Sequence, residues 1–426
     1  IAMLPVVIPR WASRIVRQGL ASHRVVSVVG ARQSGKTTLL RAENFPQGAF
    51  VSLDQQQVLS DVKTDCAFFL RRYARAYPLI VDEIQKAPEL VGEIKYVVDR
   101  NPSKGQFIIT GSADYRKLPH ANESLAGRVA FARVRTFAEA EARQCEPFFL
   151  RGLFDGLLPL DAEFGDFCKA QFCELLLKGG YPELMDVGDP QQRTLWFDSY
   201  VKQQIILDMR NQWGVRKSDV LERLIALAVA FSSKLLVKRT LLNVLGTSAE
   251  TFESYLSALQ AMFLVDLLPG WKESDYDRPS QTPKLFLTDS GLMANRMGIF
   301  HPKDILENRE VAANEGGKLA ETWVYNQLVA ELELNPLWRM RHLRTKTHEI
   351  DFLLFNEKKE GLGIEVKSSE SVSPDDFRHL RWFGNLYRPQ KFTGVVLYAG
   401  NRVVPGGDNC YAIPMSAFWT PEKYWR

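Results

Sequence analysis

Apolar runs alternate with amphipathic stretches over the first third of this chain, and that pattern predicts an α/β domain. Five runs have the length and composition of strands: RVVSVV (24–29), FVSLD (50–54), LIV (79–81), FII (107–109) and VAFARV (129–134). Helical stretches such as CAFFLRRYARA lie between them. Strands that alternate with helices in this way predict a mainly parallel sheet.

A glycine-rich segment, GARQSGKTT, follows the first run and opens a helix, which is the context of a phosphate-binding loop. Its glycines let backbone N–H groups turn toward phosphate oxygens. Lys36 is expected to reach the β- and γ-phosphates of ATP, and the Thr37 hydroxyl to bind Mg²⁺. The predicted nucleotide-binding residues of this loop are Gly30, Ala31, Arg32, Gln33, Ser34, Gly35, Lys36, Thr37 and Thr38.

Two acidic residues end the third apolar run. Asp82 is expected to hold Mg²⁺ with Thr37, and Glu83 to polarise the attacking water as a general base. Helix capping by these carboxylates is the alternative. Thr110 and Ser112, after the fourth run, are candidates for sensing the γ-phosphate. Separate strands for the phosphate loop and for Glu83, with another strand between them, predict the additional-strand class of NTPases.

Arg128 stands just before the fifth run. In a homo-oligomer, an arginine here could reach a neighbouring subunit's nucleotide and stabilise charge in the transition state. A surface arginine in a turn before a strand explains the position equally well. A homo-oligomer therefore remains one of the open alternatives.

From about residue 146, the pattern predicts helices that form a lid or linker. KGGYPELMD (178–186) breaks this region, and LWFDSYVKQQIILDMRNQ (195–212) is a long amphipathic run. Residues 236–271 then have the pattern of a winged helix-turn-helix. Its second helix, residues 248–260, contains no Lys or Arg, whereas a helix that faces DNA phosphates normally carries positive charge. A structural role is therefore favoured for this element.

A period-two apolar pattern returns near the C-terminal end, where THEIDFLLFN, EKKEG and GLGIEVKSS predict a hairpin. Residues two apart share a strand face, so Glu365 and Lys367 point the same way and the turn brings Asp351 opposite them. Asp351 and Glu365 are then placed to bind one Mg²⁺ that activates water, with Lys367 and Glu321 assisting. A structural carboxylate–lysine pair is the alternative.

A basic stripe precedes this hairpin, made of Arg339, Arg341, Arg344 and Lys346 with His342 and His348. Positive charge beside a pair of carboxylates attracts a nucleic-acid backbone, so DNA is the predicted macromolecular ligand. A solvated strand of alternating charge would look the same.

Bulk composition sets limits on these hypotheses. A length of 426 residues suggests two to four domains, and 46% hydrophobic with 24% charged residues is ordinary for a soluble protein. The net charge of +4 permits nucleic-acid contact without arguing for it. Five scattered cysteines favour a reducing cytoplasm, and neither a signal-peptide pattern nor a run of membrane-spanning length is seen, so no membrane association is expected.

Seven motifs in order, GARQSGKTTLL, VDEIQKAPEL, ITGSADYRKL, SLAGRV, KGGYPELM, KLFLTDSGL and EIDFLL…IEVK, resemble the prokaryotic AAA-type ATPases with a C-terminal DUF4143 domain. The resemblance covers nearly the whole chain. It implies a C-terminal fold similar to PD-(D/E)xK restriction endonucleases, with Glu321, Asp351, Glu365 and Lys367 on the nuclease-type positions. It also implies an arginine at the position of Arg128.

The expected domains are a P-loop AAA-type ATPase (1–145), a helical lid or linker (146–235), a winged helix-turn-helix (236–275) and a nuclease-like domain (276–426). The leading hypothesis is an ATP-binding and ATP-hydrolysing protein coupled to a Mg²⁺-dependent nuclease that acts on DNA. The alternative is a nucleotide-dependent switch or scaffold whose nuclease-like domain only binds. A ring-forming motor that depends on Arg128 is a third possibility.

Overall fold

The structure is a computed structural model in which two compact units are each assembled from three stretches of chain. It describes residues 7–43, 45–74, 76–114, 125–165, 167–213, 218–272, 282–388 and 390–426. Unit 1 comprises residues 1–136, 200–218 and 250–264, and unit 2 comprises 137–199, 219–249 and 265–426. The boundary predicted at 275/276 lies outside the described residues, and the other domain boundaries stay predictions.

The described strands form three sheets. They are β1 (Val25–Val29), β2 (Ala49–Ser52), β3 (Leu79–Asp82), β4 (Phe107–Gly111), β5 (Val129–Arg133), β6 (Lys234–Leu235), β7 (Val265–Leu268), β8 (Lys284–Leu287), β9 (Arg339–Arg344), β10 (Glu349–Phe355), β11 (Gly361–Lys367), β12 (Phe392–Tyr398), β13 (Val404–Gly407) and β14 (Cys410–Pro414). The sheet orders are β2-β3-β4-β1-β5, β6-β8-β7 and β13-β14-β12-β11-β10-β9.

The described α-helices are mostly short. They are α1 (Ala12–Ser22), α2 (Lys36–Ala42), α3 (Gln56–Thr64), α4 (Cys66–Tyr73), α5 (Leu90–Arg100), α6 (Glu139–Ala142), α7 (Phe149–Phe154), α8 (Lys169–Lys178), α9 (Pro190–Ser199), α10 (Ile206–Trp213), α11 (Ser218–Phe231), α12 (Lys238–Leu245), α13 (Ala249–Ala261), α14 (Ser290–Arg296), α15 (Pro302–Leu306), α16 (Arg309–Val311), α17 (Gly317–Leu332) and α18 (Arg378–Leu386). Within the described ranges, none has both the length and the apolar character needed to cross a bilayer.

The sheet of unit 1 is parallel at every described strand pair, as the sequence predicts. Strand β4 lies between β1 and β3, so the predicted additional strand is present. Successive side chains point to opposite faces of a strand. Accordingly, Val25 packs with side chains from α3, α4 and α5, whereas Val26 packs with those from α1 and α2. Burial on both faces explains why these strands are almost continuously apolar.

The predicted lid run is helical, as α9, a π-helical segment Tyr200–Ile205 and α10. The segment predicted to form a winged helix contains α12, α13 and β7. Residue 249, the first of α13, belongs to unit 2 together with α12, and the rest of α13 belongs to unit 1. The winged helix-turn-helix therefore stays a prediction.

The six-stranded sheet of unit 2 is mixed. Strands β9, β10 and β11 pair antiparallel, and β11, β12 and β14 pair parallel. Helix α18 covers one face, where Leu380 and Phe383 pack with strand residues such as Leu353 and Val396. The predicted hairpin of β10 and β11 lies in the middle of this sheet.

Two of the sequence motifs of unit 2, KGGYPELM and KLFLTDSGL, meet in one junction. Asp289 caps the N-terminus of α14 by accepting from the backbone N–H of Leu292 at 2.8 Å, and it also accepts from Gly180 N–H at 2.7 Å. Gly179 has a φ of +66°, and an added Cβ there would lie 2.4 Å from the Asp289 carboxylate. These glycines and this aspartate therefore have a structural role.

Candidate functional site

The phosphate loop turns so tightly between β1 and α2 that its glycines are sterically required. A Cβ added at Gly30 would lie 2.1 Å from the backbone oxygen of Val134. Gly35 has a φ of +93°, a left-handed conformation that favours glycine, and it immediately precedes α2. The helix N-terminus is therefore directed at the loop, as anion binding requires.

Lys36 folds back onto its own loop. Its ammonium donates to the backbone oxygens of Gly30 at 3.0 Å and Ala31 at 2.8 Å, and the side chain is buried. Burial lowers the pKa of Lys36 to about 8, and the carboxylates of Glu83 and Asp82 oppose that shift. The β- and γ-phosphates of a nucleotide are stronger acceptors than these carbonyls and would replace them.

Two further features of the loop fit a phosphate ligand. The Ser34 hydroxyl is fully buried and forms no hydrogen bond with any described residue, so it is available to a phosphate oxygen. Arg10 supports the loop by donating to the Ser34 backbone oxygen at 2.6 Å. The sequence gives no sign of Arg10. Of the predicted loop residues, Gln33 and Thr38 are exposed.

The predicted Mg²⁺ residues lie together at the carboxyl ends of the strands. The Thr37 hydroxyl is 3.4 Å from the Asp82 carboxylate, which also accepts a hydrogen bond from the Thr110 hydroxyl. Burial raises the pKa of Asp82, and the hydrogen bond from Thr110 opposes that shift. A hydroxyl beside a buried carboxylate is the donor set that a nucleotide-bound Mg²⁺ uses.

Glu83 directly follows β3 in a left-handed conformation with a φ of +60°. Its carboxylate accepts from the Gln85 side-chain amide and, at 3.3 Å, from the Ser112 hydroxyl. The Thr110 hydroxyl accepts from the Glu83 backbone N–H at 3.4 Å. Three side chains from two neighbouring strand ends therefore fix Glu83 beside Asp82. Ser112 and Thr110 are predicted site residues, whereas Gln85 is not.

A second group of contacts holds the loop through Arg32. Its guanidinium forms a two-bond ion pair with Asp208 on α10, with the longer bond at 2.9 Å. The Tyr200 hydroxyl donates to the Arg32 backbone oxygen at 3.3 Å. Burial raises the pKa of Asp208, and Arg32 opposes that shift. Neither Asp208 nor Tyr200 is predicted from the sequence, because no local motif marks them.

The described side-chain contacts of Arg128 are with Asp99 and Ala126, not with the phosphate loop. Its guanidinium is paired with Asp99 at 2.5 Å and 3.1 Å on α5. The structure contains one chain, so a role across subunits stays a prediction.

In unit 2, two of the predicted nuclease-type carboxylates, Glu321 and Asp351, lie beside a buried lysine that is not a predicted site residue. The Lys284 side chain on β8 is 1% exposed. Its ammonium lies close to three carboxylates: Glu321 (2.8 Å), Asp351 (3.1 Å) and Glu349 (3.4 Å). Burial lowers the pKa of Lys284, but the three negative charges outweigh it and the net shift is upward. We call these four residues the Lys284 cluster.

The other two predicted residues of the hairpin take different places. The ladder between β10 and β11 pairs Phe352 with Ile364, and Asp351 accepts from the backbone N–H of Val366 at 3.1 Å, next to Glu365 in the chain. Glu365 is buried, its Oε1 forms no hydrogen bond with a described residue, and burial raises its pKa well above the usual range. Lys367 forms an ion pair with Asp376 at 3.4 Å. Among the described residues, no group of three or more His, Cys, Asp or Glu side chains is arranged to hold a metal.

The predicted basic stripe is only partly available to a ligand. Arg344 is exposed and pairs with Glu349 at 3.1 Å, while Arg339 and Lys346 are also exposed. His342 is buried, and burial lowers its pKa to about 4. His348 stacks on Trp382 with ring centroids 3.8 Å apart.

Family models match three parts of the chain. Residues 22–142 match the AAA domain, residues 169–303 a domain of unknown function (DUF8612), and residues 316–418 a domain of unknown function (DUF4143). The predicted AAA-type ATPase domain and C-terminal DUF4143 domain are therefore confirmed. With the parallel sheet and the loop geometry, the AAA match makes this a nucleotide-binding ATPase with a P-loop NTPase fold.

Similar proteins include two from mycobacteria. The chain is 26% identical over 418 residues to uncharacterized proteins of Mycobacterium tuberculosis and Mycobacterium bovis, covering 96% of this chain and 84% of each relative. Among solved structures, a Walker-type ATPase of Pyrococcus abyssi aligns at 19% identity over 68% of this chain and 96% of its own, with a TM-score of 0.41. AMPPCP-bound DnaA from Aquifex aeolicus aligns at 14% identity over 76% of this chain and 92% of its own, with a TM-score of 0.29.

Proposed function

We propose that this protein is an ATP-hydrolysing switch whose C-terminal domain binds a macromolecule instead of cleaving it. The observation that carries the second part is the Lys284 ammonium, which lies 2.8–3.4 Å from three carboxylates. It supplies the positive charge that a divalent cation would bring to a nuclease. An ammonium ion has no open coordination position at which water could be activated, so this arrangement supports binding over cleavage.

Hydrolysis in unit 1 is assigned to residues at the strand ends. Thr37 and Asp82 would hold Mg²⁺, which neutralises phosphate charge when the nucleotide is bound. Glu83 accepts a proton from the attacking water, and Gln85 and Ser112 keep its carboxylate in position. Lys36 and the free Ser34 hydroxyl bind phosphate oxygens, and Thr110 links Asp82 to the Glu83 backbone.

Phosphate release from ATP tests this assignment. Glu83→Gln should lower kcat by about 10²–10⁴ and leave nucleotide affinity within a few-fold of the parent, because only the base is lost. Lys36→Ala should lose both ATP hydrolysis and nucleotide binding. Glu89→Gln, at an exposed position directly before α5, is the matched control and should hydrolyse ATP at the parent rate. A Glu83→Gln protein with full activity would contradict the base assignment.

A switch needs an element that responds to the nucleotide, and the loop contacts supply one. In the structure, Lys36 is bound to loop carbonyls and Arg32 to Asp208. Both cations are natural ligands of phosphate, so nucleotide binding would change their contacts. Asp208 lies on α10, and a change at Arg32 therefore reaches the helical run that continues from α9.

A second candidate function, a Mg²⁺-dependent nuclease that acts on DNA, is favoured by one observation. The Oε1 of Glu365 is buried and forms no hydrogen bond with a described residue, Asp351 bonds the neighbouring Val366 N–H, and a bound ion is one explanation for such an oxygen. The exposed arginines of β9 would assist DNA binding. For this function, a divalent cation must displace Lys284 from the carboxylates.

Cleavage assays separate the two functions. Plasmid and single-stranded DNA are incubated with Mg²⁺ or Mn²⁺, with and without ATP, using the parent, Asp351→Ala and Lys284→Gln. The switch proposal expects no cleavage by the parent under any condition. Cleavage that disappears in Asp351→Ala would establish the nuclease and overturn the binding-only role, while leaving the ATPase assignment intact.

A further inference from the structure

Unit 2 contains a cavity of about 760 Å³ that the ATPase and the Lys284 cluster leave unexplained. It lies between α8, the loop that leads into α9, and the 3₁₀ turn Met415–Trp419 near the C-terminal end. Cavities of this volume are large enough to bind a ligand the size of a nucleotide. All of its lining residues belong to unit 2.

The wall of this cavity includes a cation that lacks an ion pair. The guanidinium of Arg193, on α9, is half-buried and forms no hydrogen bond or ion pair with any residue that the structure describes. Burial lowers the pKa of Arg193, although the charges of Glu174 and Asp189 oppose that shift. A half-buried guanidinium without an ion pair is free to form charge-assisted hydrogen bonds with an anion in the cavity.

The other cations of the wall are engaged, which sets Arg193 apart. Arg143 pairs with Glu139 at 2.8 Å and lies over the Trp419 ring at 4.5 Å, and Lys178 pairs with Glu139 at 3.4 Å. Two exposed carboxylates, Glu174 and Asp186, also line the cavity. Their exposure means that solvent and salt screen them more than they screen Arg193.

The remaining wall offers a hydroxyl and a ring surface. Ser416 is 4% exposed, and its Oγ forms no hydrogen bond in the described chain, so it can donate to a ligand. Phe167 and Trp419 meet edge to face with centroids 5.4 Å apart, and Phe164 lies on the same wall. Planar aromatic groups pack well against such rings.

We infer that this cavity binds a nucleoside monophosphate, with the phosphate on Arg193 and Ser416 and the base against the rings of Phe167 and Trp419. An anion explains the unpaired guanidinium, and a planar base explains the aromatic wall. The site does not include the phosphate loop. That loop binds β- and γ-phosphates, which a monophosphate lacks.

Titration with a fluorescent N-methylanthraniloyl derivative of AMP tests the inference on the full chain. The Lys36→Ala protein is used so that the phosphate loop does not contribute. Saturable binding below about 1 mM is expected, with AMP as an effective competitor. Adenosine and ribose 5-phosphate should each compete at least about tenfold less well, because each carries only half of the recognised chemistry.

Variants locate the binding. Arg193→Gln in the same background should weaken binding by about tenfold or more, since a charge-assisted hydrogen bond is lost. Phe167→Leu, at a half-buried position, provides a second variant if Arg193→Gln fails to fold. Arg151→Gln, at an exposed arginine outside the cavity, is the matched control. Binding that no cavity variant weakens, or no saturable binding at all, would overturn the inference.

Discussion

Arg32 and Asp208 are 176 positions apart in the chain and form a two-bond ion pair at the phosphate loop. Asp208 is 7% exposed, so little water screens its charge. If Arg32 binds nucleotide phosphates as proposed, a carboxylate in this position would compete with them for the same guanidinium. The pair would then set a threshold for nucleotide binding.

Asp208→Asn should tighten ATP binding by about threefold to tenfold, equivalent to roughly 1 kcal/mol, because the competing negative charge is removed. Isothermal titration with a non-hydrolysable ATP analogue measures the effect. Asp198→Asn, which removes a carboxylate paired with Arg296 in unit 2, is the control and should bind like the parent. Weaker binding by Asp208→Asn would mean that Asp208 holds Arg32 in its nucleotide-bound position.

Lys284 permits a test of stability. Lys284→Met should lower the free energy of unfolding of unit 2 by about 3–5 kcal/mol, because it leaves the largely buried carboxylates of Glu321 and Asp351 without their counter-charge. Urea denaturation measures the loss. Adding Glu321→Gln and Asp351→Asn to that variant should recover part of the lost free energy of unfolding. Lys303→Met, at an exposed position, is the control and should have little effect on that free energy. An unchanged midpoint in Lys284→Met would show that these carboxylates are not charged in the folded protein.

Local sequence pattern predicts some of these residues and misses others for a physical reason. Lys36, Thr37 and Asp82 lie in short motifs, and the structure brings them together. Arg10 and Asp208 act through contacts that depend on the folded chain, so no spacing marks them. Gln85 lies inside the motif VDEIQKAPEL, but nothing in that motif assigns it a contact with Glu83. Lys284 left one usable signal: a lone lysine begins the otherwise apolar strand KLFL, and a charge in a buried strand requires counter-charges.

Helix α17 caps another helix through one buried side chain. The Glu331 carboxylate accepts from the backbone N–H groups of Leu150 at 2.9 Å and Arg151 at 3.2 Å, at the start of α7. Burial raises the pKa of Glu331 from 4.5 to about 7, and these two hydrogen bonds oppose the shift. Between those values the native state binds more protons than the unfolded chain, so stability falls as the pH rises through this window.

Glu331→Gln should remove that pH dependence and keep the cap, because the amide oxygen can still accept both hydrogen bonds. At pH 8 the variant is expected to be more stable than the parent by up to about 3 kcal/mol, and near pH 4.5 the two should be similar. Urea denaturation at both pH values is the measurement. Glu307→Gln, at an exposed position, should follow the parent. A variant with the parent's pH profile would contradict the pKa shift.

Strands and helices of unit 1 are predicted well by the sequence, because burial on both sheet faces leaves continuous apolar runs. The predicted run FVSLD is shorter in the structure, where β2 ends at Ser52. Less of the middle region is predictable. The π-helical segment Tyr200–Ile205 has no sequence signal of its own, since its apolar positions fit an α-helix equally well.

Assembly of the whole molecule is tested through Arg128. Asp99 already pairs with this side chain within the chain, so Arg128→Ala should lower ATP hydrolysis by less than about tenfold, whether or not the protein assembles with ATP. An arginine that completed a neighbour's site would contribute about 10³–10⁵ in kcat. Light scattering after size exclusion, with Arg100→Ala as control, decides between these outcomes. A ring that forms with ATP, together with a loss of about 10³–10⁵ in kcat in Arg128→Ala, would establish the motor hypothesis.

The division of each unit into three stretches has a consequence for how this protein can be inherited. The chain passes between the units five times, at residues 136/137, 199/200, 218/219, 249/250 and 264/265. A gene fragment that ends near residue 145 would therefore encode an ATPase unit without α10 and most of α13. Exchange of such a cassette between genomes would yield two incomplete products, so selection is expected to transmit the ATPase and the C-terminal domain as one indivisible reading frame.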